Sequence, residues 1–180
     1  TASLPDDNIV YLGGIVGFMQ GYGTEYTATA SFCSVQADLV SNGQSSLYAI
    51  GGIAAATYGP ANSSPAYVNN CSFVGNVEGR NKYAGGIVGY LRSDSAVANC
   101  YVDGKIEARS GGDASYAGGI VGASDNEAAI SSSVAIGTLS SSKQIGEDEV
   151  SDISGLIFRK GFNEIDTRKA VLFKAYYTQD

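Results

Sequence analysis

The strongest constraint in this 180-residue chain is a phrase that it uses twice. "YAGGIVG" spans residues 83–89 and recurs, letter for letter, at residues 116–122. Looser copies run as "YLGGIVG" from Tyr11 to Gly17, "YAIGGIAA" from Tyr48 to Ala55 and a degenerate "ISGLIF" from Ile153 to Phe158. The glycine pairs Gly13-Gly14, Gly51-Gly52, Gly85-Gly86 and Gly118-Gly119 open at intervals of 38, 34 and 33 residues, and Ser154 takes the next slot 36 residues on. A second block follows each pair: "CSVQADL" from Cys33, "CSFVGNV" from Cys71, "CYVDGKI" from Cys100 and "SVAIGTL" from Ser133. "AYYTQD" from Ala175 reads as a fifth block that stops short. Self-similarity at such a period is the signature of a repeat architecture, in which one unit cannot bury its apolar face alone.

The second block reads in strand register. Its even positions are Cys33, Val35, Ala37, Leu39; Cys71, Phe73, Gly75, Val77; Cys100, Val102, Gly104, Ile106; and Ser133, Ala135, Gly137, Leu139, all apolar or small. Odd positions include Gln36, Asp38, Asn76, Asp103, Lys105 and Thr138. This is period-2 alternation with one buried face. Each glycine pair leads into a short aliphatic, mostly β-branched run, Ile15-Val16, Ile53-Ala54, Ile87-Val88 and Ile120-Val121. No segment carries a 3.6-residue apolar stripe, and glycine interrupts every candidate helix.

Equivalent strands one full period apart suit coils that stack in parallel about 4.8 Å apart. The predicted fold is therefore all-β, a parallel β-solenoid of about five coils with 33–38 residues each. Right-handedness is expected from the general rule for parallel crossovers. Residues 1–139 are expected to form four coils, and residues 140–180 a degenerate fifth coil and C-terminal cap. "GFNEIDTRKAVLFKAYY", from Gly161 to Tyr177, reads as a short helix or an irregular coil closing that end.

Composition narrows the function classes. There is no histidine, which removes His-based catalytic triads and His-zinc chemistry. A net charge of −7 and no long basic run make nucleic acid and anionic membrane poor partners. No apolar stretch reaches the roughly 20 residues of a membrane helix. The opening "TASLPDDNIV" does not read as a signal peptide; it resembles a cut within a longer or processed precursor.

The order of "GGIVG", then "NCYVDGKI" from Asn99 to Ile106, then "YAGGIVG", resembles the GLUG-motif repeats of large bacterial surface and secreted proteins. These include adhesin-like proteins and accessory regions of immunoglobulin A-cleaving metalloproteases. The resemblance covers roughly residues 9–139, with a weaker copy reaching Asp180. It implies an elongated β-solenoid on an exported, cell-surface chain and supplies no catalytic residue.

The candidate ligand-binding residues are four tyrosines. "FMQGYGTEYTATAS" (Phe18 to Ser31) and "ATYGPANSSPAYVN" (Ala56 to Asn69) exceed the shorter connections by five residues and bring Tyr22, Tyr26, Tyr58 and Tyr67 among small polar residues. Such a mixture offers flat apolar faces and adaptable hydrogen bonds, suited to a glycan or a matrix or surface protein of a host. The competing reading is two tolerated insertions whose tyrosines cover the wall. Tyr11, Tyr83 and Tyr116, with Tyr48 displaced by one residue, are read as wall packing.

Cys33, Cys71 and Cys100 share one inward slot and read as buried free thiols packing as small hydrophobes, not as a disulfide or metal site. Glu78 over Glu107 and Arg80 over Arg109 read as a solvated ladder of ion pairs; the alternative is an acid/base site of a carbohydrate-active enzyme. Glu147, Asp148 and Glu149 read as a solvated loop. No catalytic residue, metal or cofactor is expected. The expected function is a non-catalytic extracellular adhesion or ligand-binding segment of a bacterial surface protein, with a structural stalk or protease accessory region as the alternative.

Overall fold

The computed structural model describes residues 10–22, 26–41, 47–58, 65–92, 94–109, 115–124 and 128–141, together with the strand segments 157–160, 171–173 and 176–178. Among these residues there is no helix, and every ladder between named strands is parallel. Coil 1 holds β1 (Tyr11–Gly13), β2 (Val16–Gln20), β3 (Ala28–Ser31), β4 (Ser34–Gln36) and β5 (Leu39–Ser41). Coil 2 holds β6 (Leu47–Gly51), β7 (Ala54–Tyr58), β8 (Ala66–Asn69), β9 (Ser72–Val74) and the first half of β10 (Val77–Gly85). Coil 3 continues through β10 into β11 (Val88–Leu91), β12 (Ala96–Ala98) and β13 (Tyr101–Arg109). Coil 4 holds β14 (Tyr116–Gly118), β15 (Val121–Ser124), β16 (Ala129–Ser131) and β17 (Val134–Ser141). A fifth rung is formed by β18 (Ile157–Lys160), β19 (Val171–Phe173) and β20 (Tyr176–Thr178).

Stacking the coils builds three sheets. One five-stranded sheet runs β18-β15-β11-β7-β2, another runs β19-β16-β12-β8-β3, and a curled ten-stranded sheet joins the glycine-pair strands to the second-block strands through β10. The fold is the parallel β-solenoid that the repeat predicts. The fifth rung keeps the register of the repeat, Val121 pairing Ile157 and Val134 pairing Tyr176. Residues 171–173 and 176–178 are strands, in place of the expected helix or irregular coil, because each finds a parallel partner in coil 4. The two long connections are also shorter than the sequence suggests. Their ends, Phe18–Gln20 and Ala28–Ser31 in coil 1, belong to β2 and β3.

The interior is continuous across coils. Ile50, Ile53, Phe73, Val77, Ile87, Ile106, Ile120 and Ile130 are fully or almost fully buried in one cluster. The corner after each glycine pair is held by coil-to-coil hydrogen bonds. Ile87 N–H donates to Ile120 O at 2.9 Å and Val88 N–H donates to the same oxygen at 3.0 Å. Glycine is needed there because the next coil is close. A Cβ at Gly86 would press against Gly119 O and sit 2.5 Å from Val102 Cγ1. Left-handed backbone belongs to another column, Gly75, Gly104 and Gly137, with φ of 138°, 152° and 123°. In coil 1 this slot holds Ala37, which is exposed and not inward as the alternation suggests. The backbone kinks at this column, so the strict alternation of a flat strand fails there.

Candidate functional site

The four candidate tyrosines sit around the edge where the β2/β7/β11 sheet gives way to the β3/β8/β12 sheet. Tyr22 and Tyr26 are bridged just beyond β2. Tyr22 N–H donates to Tyr26 O at 2.9 Å in an antiparallel bridge, and the two side chains are 81% and 66% exposed. Tyr67 lies on β8 between Thr29 and Ala96 and is 36% exposed. Tyr58 ends β7 beside Gln20 and is half-buried. Its ring stacks on Phe18 with centroids 6.3 Å apart, and the Arg92 guanidinium lies 4.9 Å from the ring centre. The chain path thus brings Tyr22 and Tyr26 together. Tyr58 belongs instead to a second aromatic group.

That second group fills an outer groove between the glycine-pair strands and the β2/β7/β11 sheet. Tyr48 meets Tyr11, Tyr83 and Tyr90 at 5.7, 5.2 and 5.8 Å, and Tyr83 meets Tyr90 and Tyr116 at 4.9 and 5.9 Å. Tyr83, Tyr90 and Tyr116 are buried with Ala49, Ala55, Ala56 and Ala123 in a cluster separate from the main core. Lys82 approaches Tyr83 at 5.5 Å, and Arg92 lies over Tyr90 at 5.1 Å as well as over Tyr58. Tilted and edge-on pairs of this kind contribute about 0.5–1.5 kcal/mol beyond their burial. Wall packing was legible for Tyr11, Tyr83 and Tyr116. The partnership with Phe18, Tyr90 and Arg92 was missed, although a signal exists. Phe18, Ala56, Tyr90 and Ala123 occupy one register column, large and small in alternation.

The cysteine column is a set of corner caps. Each residue just before it, Phe32, Asn70, Asn99 and Ser132, has a left-handed backbone with φ between 48° and 54°. Cys71 Sγ–H donates to Asn69 O at 3.1 Å, and Cys100 Sγ–H donates to Ala98 O at 3.2 Å. Ser133 Oγ–H makes the same bond to Ser131 O at 2.8 Å and accepts Cys100 N–H at 3.1 Å. The thiols therefore do more than pack. Cys71, Cys100 and Ser133 each add a second hydrogen bond to a corner carbonyl that already accepts an N–H from the preceding coil, a role that serine fills in coil 4. All three cysteines are free. Burial pushes the Cys100 thiol up to about 12, and burial likewise raises Cys71. Both are unreactive thiols at neutral pH.

Glu78 pairs Glu107 and Arg80 pairs Arg109 in register, as the spacing predicts. Glu107 is buried and doubly held. Arg109 donates to both of its carboxylate oxygens, through Nε to Oε1 and through Nη2 to Oε2 at 2.8 Å, and Lys105 Nζ lies 2.5 Å from Oε2. Lys105 also reaches Glu78 at 3.4 Å. The Arg109 hydrogen bonds, with Lys105 behind them, hold the Glu107 carboxyl down to about 2 against its burial. A carboxylate so stabilised is a weak base and no proton donor at neutral pH, which is the opposite of what a general acid requires. Among the described residues no cluster of His, Cys, Asp or Glu has the geometry to hold a metal ion. Glu147, Asp148 and Glu149 lie outside the described residues.

No curated protein and no solved structure matches the chain. Residues 80–107 match the family model described as the GLUG motif. That stretch covers one glycine-pair corner and one Asn-Cys corner, ending at Glu107. With this unit recurring in register along the stack, the chain is a GLUG-motif protein.

Proposed function

We propose that this chain is a non-catalytic binding segment of an exported bacterial surface protein, presenting tyrosines from a stiff solenoid. The observation that supports the reading best is the Tyr22–Tyr26 bridge. Two aromatic side chains stand largely in solvent, held by a backbone bridge just past the edge strand of a five-stranded sheet. Amphipathic rings held this way lose little conformational entropy on contact with a sugar face or a peptide. Tyr67, lower on the same edge, would extend the contact. A host glycan or a matrix or surface protein fits this chemistry better than a polyanion does, given a net charge of −7.

The stalk reading keeps one observation in its favour. Tyr58 is sandwiched by Phe18 and Arg92, so one of the four tyrosines already serves the wall. A glycan-array and matrix-protein screen of the purified chain, with a Tyr22→Ala/Tyr26→Ala variant beside it, separates the two. Binding that falls at least ten-fold in the variant supports the adhesive reading. Binding that survives, or silence from a folded sample across a broad array, favours the stalk.

A further inference from the structure

Tyr22 and Tyr26 combine two properties that no other tyrosine pair combines among the described side chains. They face each other, and both stand mostly in solvent. Directly opposite residues of an antiparallel bridge carry their side chains on one side of it, with Cβ atoms about 4.5–5.5 Å apart. Among the described residues no aromatic ring packs on either of them. Exposed side chains of this kind change rotamer within nanoseconds, so the two phenol rings can turn toward each other.

The remaining tyrosines fail one condition or the other. Tyr83 lies 4.9 Å from Tyr90 and 5.9 Å from Tyr116 between ring centres, but all three are buried. Tyr11 and Tyr48 meet edge-on at 5.7 Å and are half-buried in the same groove. Tyr58 is held between Phe18 and Arg92. Tyr67 and Tyr101 are exposed, but the register neighbours of Tyr67 are Thr29 and Ala96, and those of Tyr101 are Ser72 and Val134.

Two accessible phenols on one side of a bridge are suited to oxidative coupling. A one-electron oxidant takes one electron and one proton from each phenol, leaving two phenoxyl radicals. The radicals join through one ring carbon ortho to each oxygen, and the hydrogen on each of those carbons passes through water to its own phenolic oxygen. The product is a biaryl link with both hydroxyls restored. Two hydrogen atoms are lost overall, and a haem peroxidase delivers their electrons and protons to hydrogen peroxide, which becomes two waters. The link holds the two Cβ atoms at a separation close to that of a bridged pair, so the backbone need not move. The second radical is an intramolecular partner for the first, an advantage that encounters between dilute molecules do not match.

We propose that Tyr22 and Tyr26 are an oxidative cross-linking site, joined to each other as a dityrosine by a haem peroxidase with hydrogen peroxide. The bond makes the backbone bridge covalent and fixes the two phenols relative to each other. Cross-linking requires no ligand at this edge.

The test treats the full chain with a haem peroxidase and hydrogen peroxide. Dityrosine fluorescence should appear in the monomer, the intact mass should fall by two hydrogens, and digestion should map the link to Tyr22 and Tyr26. The yield should not depend on protein concentration from about 1 to 100 µM, as an intramolecular step requires. Tyr22→Phe and Tyr26→Phe should each lower the intramolecular yield at least ten-fold. Phenylalanine keeps the ring at two positions that are mostly in solvent, and circular dichroism checks that both variants fold. Tyr101→Phe, which removes an exposed phenol elsewhere, should leave the yield unchanged. Absence of the link overturns the proposal, as does a link mapped to another pair of tyrosines. A product that is mainly intermolecular, or an intramolecular yield that survives in either Tyr22→Phe or Tyr26→Phe, also overturns it.

Discussion

Replacing Gly86 by alanine tests the stacking argument most directly. The new methyl would lie against Gly119 O and 2.5 and 2.8 Å from the two Val102 methyls. Ordinary carbon–carbon contact is about 3.5–4.0 Å, so coils 3 and 4 must separate by roughly 1 Å at this corner or Val102 must leave its seat. Separation stretches three hydrogen bonds: Gly86 N–H to Gly118 O, and Ile87 and Val88 N–H to Ile120 O. At about 0.5–1.5 kcal/mol each, these amount to about 2–4 kcal/mol if lost. Overpacking around Val102 adds about 1–3 kcal/mol. The expected cost is therefore about 3–7 kcal/mol, or a fall in Tm of roughly 10–20 °C for a domain of this size. Urea and thermal unfolding followed by circular dichroism measure it. The control is Gly17→Ala, where the nearest atom stands at 3.3 Å and no neighbouring coil must move, so the monomer should change by less than about 1 kcal/mol. Because nearest-neighbour terms dominate a solenoid, the Gly86 variant should also lose cooperativity between coils 1–3 and the remainder. Equal midpoints for the two variants would refute close coil approach as the reason for the repeated glycines.

Three further outcomes follow from the site geometry. The Glu107 carboxyl is held below its unfolded value, so its stabilising effect is complete above about pH 4.5 and is lost as pH falls toward about 2. Glu107→Gln should cost about 1–2 kcal/mol at pH 7 and flatten the acid limb of a urea-midpoint profile. The Cys100 thiol is raised to about 12, so the burial of its neutral form favours folding below about pH 9 and is lost as pH climbs toward 12. At pH 8 a thiol reagent should modify half-buried Cys33 first, and Cys71 and Cys100 only as fast as the coils open, as read by mass spectrometry of the labelled protein. Cys100→Ser should keep the corner bond that Ser133 makes in coil 4 and unfold within about 1 kcal/mol of the parent, whereas Cys100→Ala should cost about 1 kcal/mol more than the serine variant in the same urea assay.

Where strand alternation is strict, the sequence was enough. Val35, Phe73, Val102 and Ala135 were legible as one buried column, because period 2 leaves them no other face. The pairing of Glu78 with Glu107 followed from counting residues after aligned blocks. Reading failed where side chains meet across sheets. Spacing places Phe18 and Tyr90 in one column but does not say that Tyr48 and Arg92 join them, because the curl of the ten-stranded sheet and the angle at the glycine corner bring these together. Ala37 misled for a related reason: alternation assumes a straight strand, and the left-handed column of Gly75, Gly104 and Gly137 bends it.

The sequence by itself determined that this chain stacks parallel coils, most of the residues that line the core, and which residues pair from coil to coil. These are consequences of period, and period is a property of order along the chain. Only the tertiary structure decided what the individual side chains do. It made Cys71 and Cys100 second donors to corner carbonyls and made Glu107 a clamped carboxylate unsuited to proton transfer. It also drew Tyr58 into the wall while leaving Tyr22 and Tyr26 in solvent. The corner bonds and the Glu107 clamp join residues only two positions apart, but the bend and the burial that shape them come from the neighbouring coil. Tyr58 meets Phe18 and Arg92 only because one coil rests closely on the next.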